Sequence, residues 1–160
     1  MDKHLPRWMH SSMAKFFSDL VADMTDPPRY HVEAVDEDEA LDFQSPSILF
    51  RMVGPYAYGG SNVEWYKVEI QLLCTDIVQT RNDNSWTVFE WAGVIQDAML
   101  GPMPIFKFGN GPDDNRETLV GCLEPDDTIG DAIRVVPYGQ VDKEVRVKQV
   151  AVIGKFRLCL

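Results

Sequence analysis

Val63-Glu64-Trp65-Tyr66-Lys67-Val68-Glu69-Ile70-Gln71-Leu72-Leu73-Cys74-Thr75 alternates apolar and polar side chains along its length. Tyr66, Val68, Ile70, Leu72 and Cys74 fall on one side, and Trp65, Lys67, Glu69, Gln71 and Leu73 on the other. A period of two belongs to a β-strand with one face on a core and the other in water or at an interface. Before it, Gly54-Pro55-Tyr56-Ala57-Tyr58-Gly59-Gly60-Ser61-Asn62 reads as a flexible loop at a hairpin tip. Residues 47–53 supply the other arm of that hairpin.

Further upstream stand Asp36, Glu37, Asp38 and Glu39. Four adjacent carboxylates repel one another and stay in water, so the run is a turn or exposed loop. Residues 30–35 read as a short strand ahead of it. Over residues 7–25, Met9, Met13, Phe16, Phe17, Leu20, Val21 and Met24 recur at steps of three and four. That stripe predicts a helix lying on a core. Pro27-Pro28 ends it, because proline lacks the donor and restricts the residue before it.

Downstream, Asn84 or Ser85 is placed to cap a second helix running to Leu100. Val88, Trp91, Ala92, Ile95 and Met99 mark its inner side, and Gly101-Pro102 stops it. The last third is strand-rich: residues 105–108, 117–123, 132–137 and 143–160, with Gly154 a candidate bulge. Residues 109–115 and Glu124-Pro125-Asp126-Asp127 read as turns. The order predicts an α+β fold: a mostly antiparallel sheet, two helices on one of its faces and an extended β-hairpin. All 160 residues form a single domain, a length that supports one core without staples.

Apolar residues make up 45% and charged residues 25%, which excludes wholesale disorder. No apolar run approaches the roughly 20 residues of a membrane span. Residues 1–17 lack the apolar core of a signal peptide, and three cysteines form no CxxC pair. Free, buried thiols and synthesis in a reducing cytoplasm are expected. The net charge is −10, which opposes non-specific nucleic-acid binding.

Chemical motifs are few. His4, His10 and His31, with Cys74, Cys122 and Cys159, show no zinc-site spacing, and exposed histidines with core thiols are expected. Asp113-Asp114-Asn115 lacks the alternating acids of a calcium loop. Gly59-Gly60-Ser61-Asn62 is not a nucleophile elbow, and Gly109-Asn110-Gly111 precedes two aspartates that would repel a phosphate. No catalytic residue, metal or cofactor is assigned. Tyr56, Tyr58 and Trp65 are aromatics placed outside the core pattern, a mark of interfaces. The plainer reading covers the Trp65 side of its strand with the second helix.

The layout of helix, hairpin ending in residues 63–75, polar stretch, helix over Trp86 to Leu100 and β-rich end over residues 145–160 resembles the tail terminator and head–tail joining (neck) proteins of long-tailed bacteriophages. The resemblance implies a structural virion protein without enzymatic activity, made in the bacterial cytoplasm. It implies a homo-oligomer, a hexameric ring that caps the tail tube and meets the head-side connector. DNA would pass through without specific binding, and no membrane is involved. Tyr56, Tyr58, Gly59, Gly60, Trp65 and Lys67 are then the expected subunit interface. Asp36, Glu37, Asp38 and Glu39 are the expected lumen-facing acids, which would repel the DNA backbone. Two other classes stay open: a small soluble ligand- or partner-binding module using Tyr56, Tyr58 and Trp65, and a hydrolase or isomerase using acids within residues 113–131.

Overall fold

The computed structural model describes residues 3–33, 46–58, 65–77, 86–107, 118–126, 130–142 and 147–159. Its elements run α1 (Leu5–Ala22), β1 (Arg29–Val32), β2 (Ser47–Tyr58), β3 (Trp65–Ile77), α2 (Thr87–Leu100), β4 (Met103–Lys107), β5 (Thr118–Pro125), β6 (Ile133–Asp142) and β7 (Val147–Cys159). The fold is α+β, as expected. The seven strands form one sheet in the order β1-β2-β3-β7-β5-β4, with β6 also on β7. Among the described residues, only the β1–β2 pair is parallel.

The centre is β3 against β7. Their antiparallel register runs unbroken from Lys67↔Arg157 to Ile77↔Val147. Alternation therefore puts Tyr66, Val68, Ile70, Leu72 and Cys74 level with Phe156, Val152 and Val150 on one face. All of these are buried in the core, and both helices pack on that face. From α2 come Val88, Trp91, Ala92, Ile95 and Met99, the residues its periodicity named. From α1 come Leu5, Trp8, Met9, Met13, Phe17 and Val21, while Phe16, Leu20 and Met24 are only partly buried.

The helix α1 starts two residues earlier than its stripe suggested, because Pro6 is tolerated in a first turn, where its missing donor has no helical partner. It ends at Ala22, and the chain then turns through Asp26 at φ 47, ahead of Pro27-Pro28. The N-terminus of α2 is Trp86, with no side-chain cap. Asn84 and Ser85, the expected caps, lie outside the described residues, as do the acidic run Asp36 to Glu39 and the turn at residues 109–115.

Helix α1 touches β4 at one end of the strand order and β1 and β2 at the other. A flat sheet cannot bring both ends to one helix, so the sheet curls around α1. Ser12, itself buried, accepts a hydrogen bond from the Phe106 backbone N–H at 2.9 Å. That contact occupies a donor of the edge strand β4 and shields it from pairing. On the other flank, the Tyr30 hydroxyl donates to the Ala14 carbonyl at 2.7 Å.

Three sequence readings change. Residues 54–58 are not loop but the end of β2. The strand extends there because one extra residue between Val53 and Tyr56 is absorbed in a bulge opposite β3. Gly54 carries it at φ +110, a conformation that a side chain opposes, and an added Cβ would meet the Lys67 carbonyl at 2.9 Å. Gly154 is no bulge: it sits in regular register opposite Ile70. Its missing side chain is space for the Phe156 ring and for Met99 of α2. Glu124 and Pro125 belong to β5, not to a turn.

Gly154→Ala should lower stability by about 1–3 kcal/mol, since an added Cβ would run into the fully buried Phe156 ring. Urea denaturation measures this, with an unchanged slope and a lowered midpoint expected. Burial also pushes the Cys74 thiol up to about 12 from an ordinary 9.0. From pH 9 upward the unfolded thiol ionises while the folded one stays protonated, so stability falls as pH rises. The part owed to Cys74 approaches ~1.4 kcal/mol per pH unit. A Cys74→Ala chain should lack that component when the two stability–pH curves are compared above pH 9.

Candidate functional site

The second face of the sheet is built by the same alternation that builds the core. Opposite pairs place Leu49, Leu73, Ala151 and Val136 in one row across β2, β3, β7 and β6. The next row is Arg51, Gln71, Ile153 and Arg134. Beyond lie Val53, Glu69 and Lys155, then Tyr56, Lys67, Arg157 and Glu124. Among the described residues neither helix packs here, so the plainer reading, a strand covered by α2, is not what the fold does.

Polar side chains brace this face. Gln71 donates to Glu69 at 2.8 Å, and Gln149 donates to Thr75 across the β3–β7 pair at 3.2 Å. Arg51 pairs with Glu33 at 3.2 Å in an exposed contact. Cations at Arg51, Lys67, Arg134, Lys155 and Arg157 outnumber acids at Glu33, Glu69, Glu124 and Asp126. Among the described side chains the face is thus not acidic, although the whole chain carries −10.

The most developed point is where β7 changes partner. Along one edge it pairs with β5 through Pro125 and with β6 from Ile133. At the changeover the Asp126 N–H donates to the Lys155 carbonyl, and the Lys155 N–H donates to the Ala132 carbonyl. Asp126 is held in this fork with only 1% of its surface exposed. Its carboxylate lies 2.8 Å from the Lys67 ammonium. A buried charge of this kind is tolerable only when paired. Tyr56, Lys67, Val68, Glu69, Asp126, Lys155 and Phe156 line a hollow of about 310 Å³ around the pair.

Of the expected interface residues, Tyr56 and Lys67 are brought together, directly opposite each other. The bulge is responsible: without the extra residue Tyr56 would fall on the core face, and with it Tyr56 is 55% exposed beside Lys67. Tyr58 and Trp65 are also opposed in register, though their side chains lie outside the described residues, as do Gly59 and Gly60. The expected lumen acids Asp36, Glu37, Asp38 and Glu39 lie outside them too. Of the acids over residues 113–131, Asp126 is paired with Lys67, Glu124 lies beside the Cys159 thiol, Asp131 is exposed and Glu117 lies outside the described residues. Asp113, Asp114 and Asp127 lie outside the described residues.

Sequence reading placed Asp126 in a turn. An Asp pair after a proline carries no signal that a lysine some 60 positions earlier will meet the first of the two. The histidines differ from expectation as well. They are half-buried, with the His10 ring edge-on to Phe50 at 5.7 Å. Cys122 and Cys159 face each other across β5 and β7, and the Cys159 thiol lies 3.4 Å from Glu124. Burial, then the hydrogen bond to Glu124, pushes that thiol up from its ordinary range. Among the described residues no cluster of three or more His, Cys, Asp and Glu is gathered as metal ligands would be. Nor is any helix among them long and apolar enough to cross a membrane.

A larger hollow of about 590 Å³ lies where the turn after α1 meets the first turn of α2. Pro27, Pro28 and Pro46 form much of its wall, with Arg29 and Glu90 at its rim. Helix α2 itself exposes Trp86 and Leu100 (64% each), Val94 (44%) and Phe89 (40%). Its periodicity identified the buried side and left this outer side unremarked.

No model of a known protein family matches the chain, and no curated protein sequence matches it.

Lys67→Met should destabilise the protein by about 1–3 kcal/mol, because the buried Asp126 carboxylate loses the ammonium 2.8 Å away. Adding Asp126→Leu should recover part of that loss by replacing the buried carboxylate with an apolar side chain. Thermal or urea unfolding of the two variants measures both effects. Equal stability of Lys67→Met and the parent would show that the pair holds nothing.

Proposed function

We propose that this chain is a structural subunit of a phage neck, forming a hexameric ring that caps the tail tube, joins it to the head and lets DNA pass. The observation that carries the reading is that the described residues leave surface uncovered by a helix on the sheet layer and exposed apolar side chains on the helix layer. The helix layer exposes four large apolar side chains on α2, and the far side of the sheet has no helix on it among the described residues. Single exposed apolar residues are ordinary, but several on one helix mark a contact surface. A two-fold dimer covers one patch twice, whereas a head-to-tail ring covers two different patches on every subunit.

The element order supports the neck family, and the acid excess suits a channel for DNA. A ring of subunits each carrying −10 repels phosphates and does not grip the passing strand. In this reading Asp36, Glu37, Asp38 and Glu39 line the lumen. Tyr56 and Lys67 sit at the subunit boundary with the hairpin end that carries Tyr58, Gly59, Gly60 and Trp65. The chain performs no chemistry, needs no cofactor and works in the virion. The tube protein and the head-side connector are its neighbours.

One observation favours a second reading, a small ligand-binding module. The hollow beside Tyr56 combines an aromatic rim, two lysines and two carboxylates. Sites for small molecules commonly join apolar walls to a few polar groups.

Mass photometry with negative-stain imaging of concentrated protein, alone and with tail tubes, separates the two. The ring reading expects a closed particle of hexamer mass seated on tube ends. A strict monomer under both conditions, with a small molecule co-purifying, would replace it with the ligand-binding module.

A further inference from the structure

We infer that the outer side of α2 in one subunit seats on the open sheet face of the next, so that the ring contact is helix on sheet and head to tail. The inference rests on the ring reading and names its contact surfaces.

The helix side comes first. At 100° per residue, Phe89, Leu100, Gly93 and Trp86 fall on one line, with Glu90 and Asp97 on the adjoining one. The apolar members are exposed, and nothing lies within 4 Å of where a Gly93 side chain would be. A flat partner can therefore approach the middle of α2 closely. The helix carries no lysine or arginine at all. Its two acids are uncompensated on the helix itself.

A second α2 is the wrong occupant. In a two-fold contact centred on Gly93, antiparallel helices set Glu90 of each near Asp97 of the other, and parallel helices set each acid near its own copy. Four carboxylates would meet with no cation supplied by either helix, and like charges at a contact are costly.

The open sheet face fits instead. Its row Leu49–Leu73–Ala151–Val136 is apolar, with Ala151 buried and the other three half-buried, and the neighbouring row is bounded by Arg51, which also pairs with Glu33, at one end and by Arg134 at the other. Those two positions are three strand spacings apart, about 14 Å. Glu90 and Asp97 are about 10 Å apart along α2. Arginine side chains span the difference. The apolar line of α2 then lies on the apolar row, with an acid near each arginine. Within one molecule the two surfaces lie on opposite layers, so α2 cannot reach its own sheet face and the contact must be made by a second copy. A contact between two different patches propagates from subunit to subunit until it closes.

The test exchanges the charges. One chain carries Glu90→Lys with Asp97→Lys, and the other carries Arg51→Glu with Arg134→Glu. Each alone should need on the order of a hundredfold more protein for half-assembly than the parent. Mixed in equal amounts, they should assemble again, because every junction then joins a lysine-bearing helix to a glutamate-bearing sheet or a parental helix to a parental sheet. Circular dichroism melting confirms that each chain is folded. Phe89→Asp tests the apolar half alone, with assembly lost and melting kept. Two foldable charge variants that assemble like the parent, or a mixture that stays dissociated, would overturn the helix-on-sheet contact while leaving the ring in place. A parent chain that never assembles would overturn the ring and this contact together. Swaps that spare the ring but abolish seating on tail tubes would give α2 to the tube protein and overturn the inference.

Discussion

The structure depends on the pairing of β3 with β7. Eleven consecutive residue pairs hold the two strands in a single register, and a slip of one residue would turn every side chain to the wrong face. With the register held, Val68, Ile70, Leu72 and Cys74 join Val150, Val152 and Phe156 in one continuous apolar floor. Helix α2 lies on that floor, and α1 packs on β4, β2 and β1 to either side of it. The absence of a side chain at Gly154 brings the floor close to α2, because Phe156 and Met99 occupy the space a Cβ would take.

From that floor the rest of the sheet is placed at a distance. On one side β2 pairs with β3, and β1 follows in parallel. On the other side β7 divides its edge between β5 and β6, which leaves a fork. The curl that brings β4 to α1 gives each helix a different task. Helix α1 bridges the two ends of the sheet and covers the edge of β4 through Ser12. Helix α2 rests on the middle and keeps its outer side bare. The fork holds Asp126, and the strand that supplies its partner, Lys67, is the strand that defines the core on its other face.

The open face is thus a by-product of the core that became a surface in its own right. Its polar rows are braced internally, by Glu69 with Gln71, Thr75 with Gln149 and Lys67 with Asp126. Bracing of this kind limits side-chain motion, so a partner that lands there orders fewer groups. The bulge at Gly54 extends the face outward by setting Tyr56 opposite Lys67.

Local periodicity determined the elements. The inward side chains of β3 and α2, the stripe of α1 and the stops at the prolines are all legible, because each rests on spacing within one segment and on side-chain chemistry that does not depend on the fold. Periodicity could not give the length of β2, since residues 54–58 look like a loop until a bulge absorbs the extra residue against a specific partner. It could not give Asp126 either, whose meaning comes from Lys67 on a distant strand. The rows across the open face, the fork and the bare side of α2 were decided by tertiary structure alone. Each requires knowing which strand lies beside which and at what register, and that choice is made by burying all the apolar faces at once rather than by any single stretch of chain.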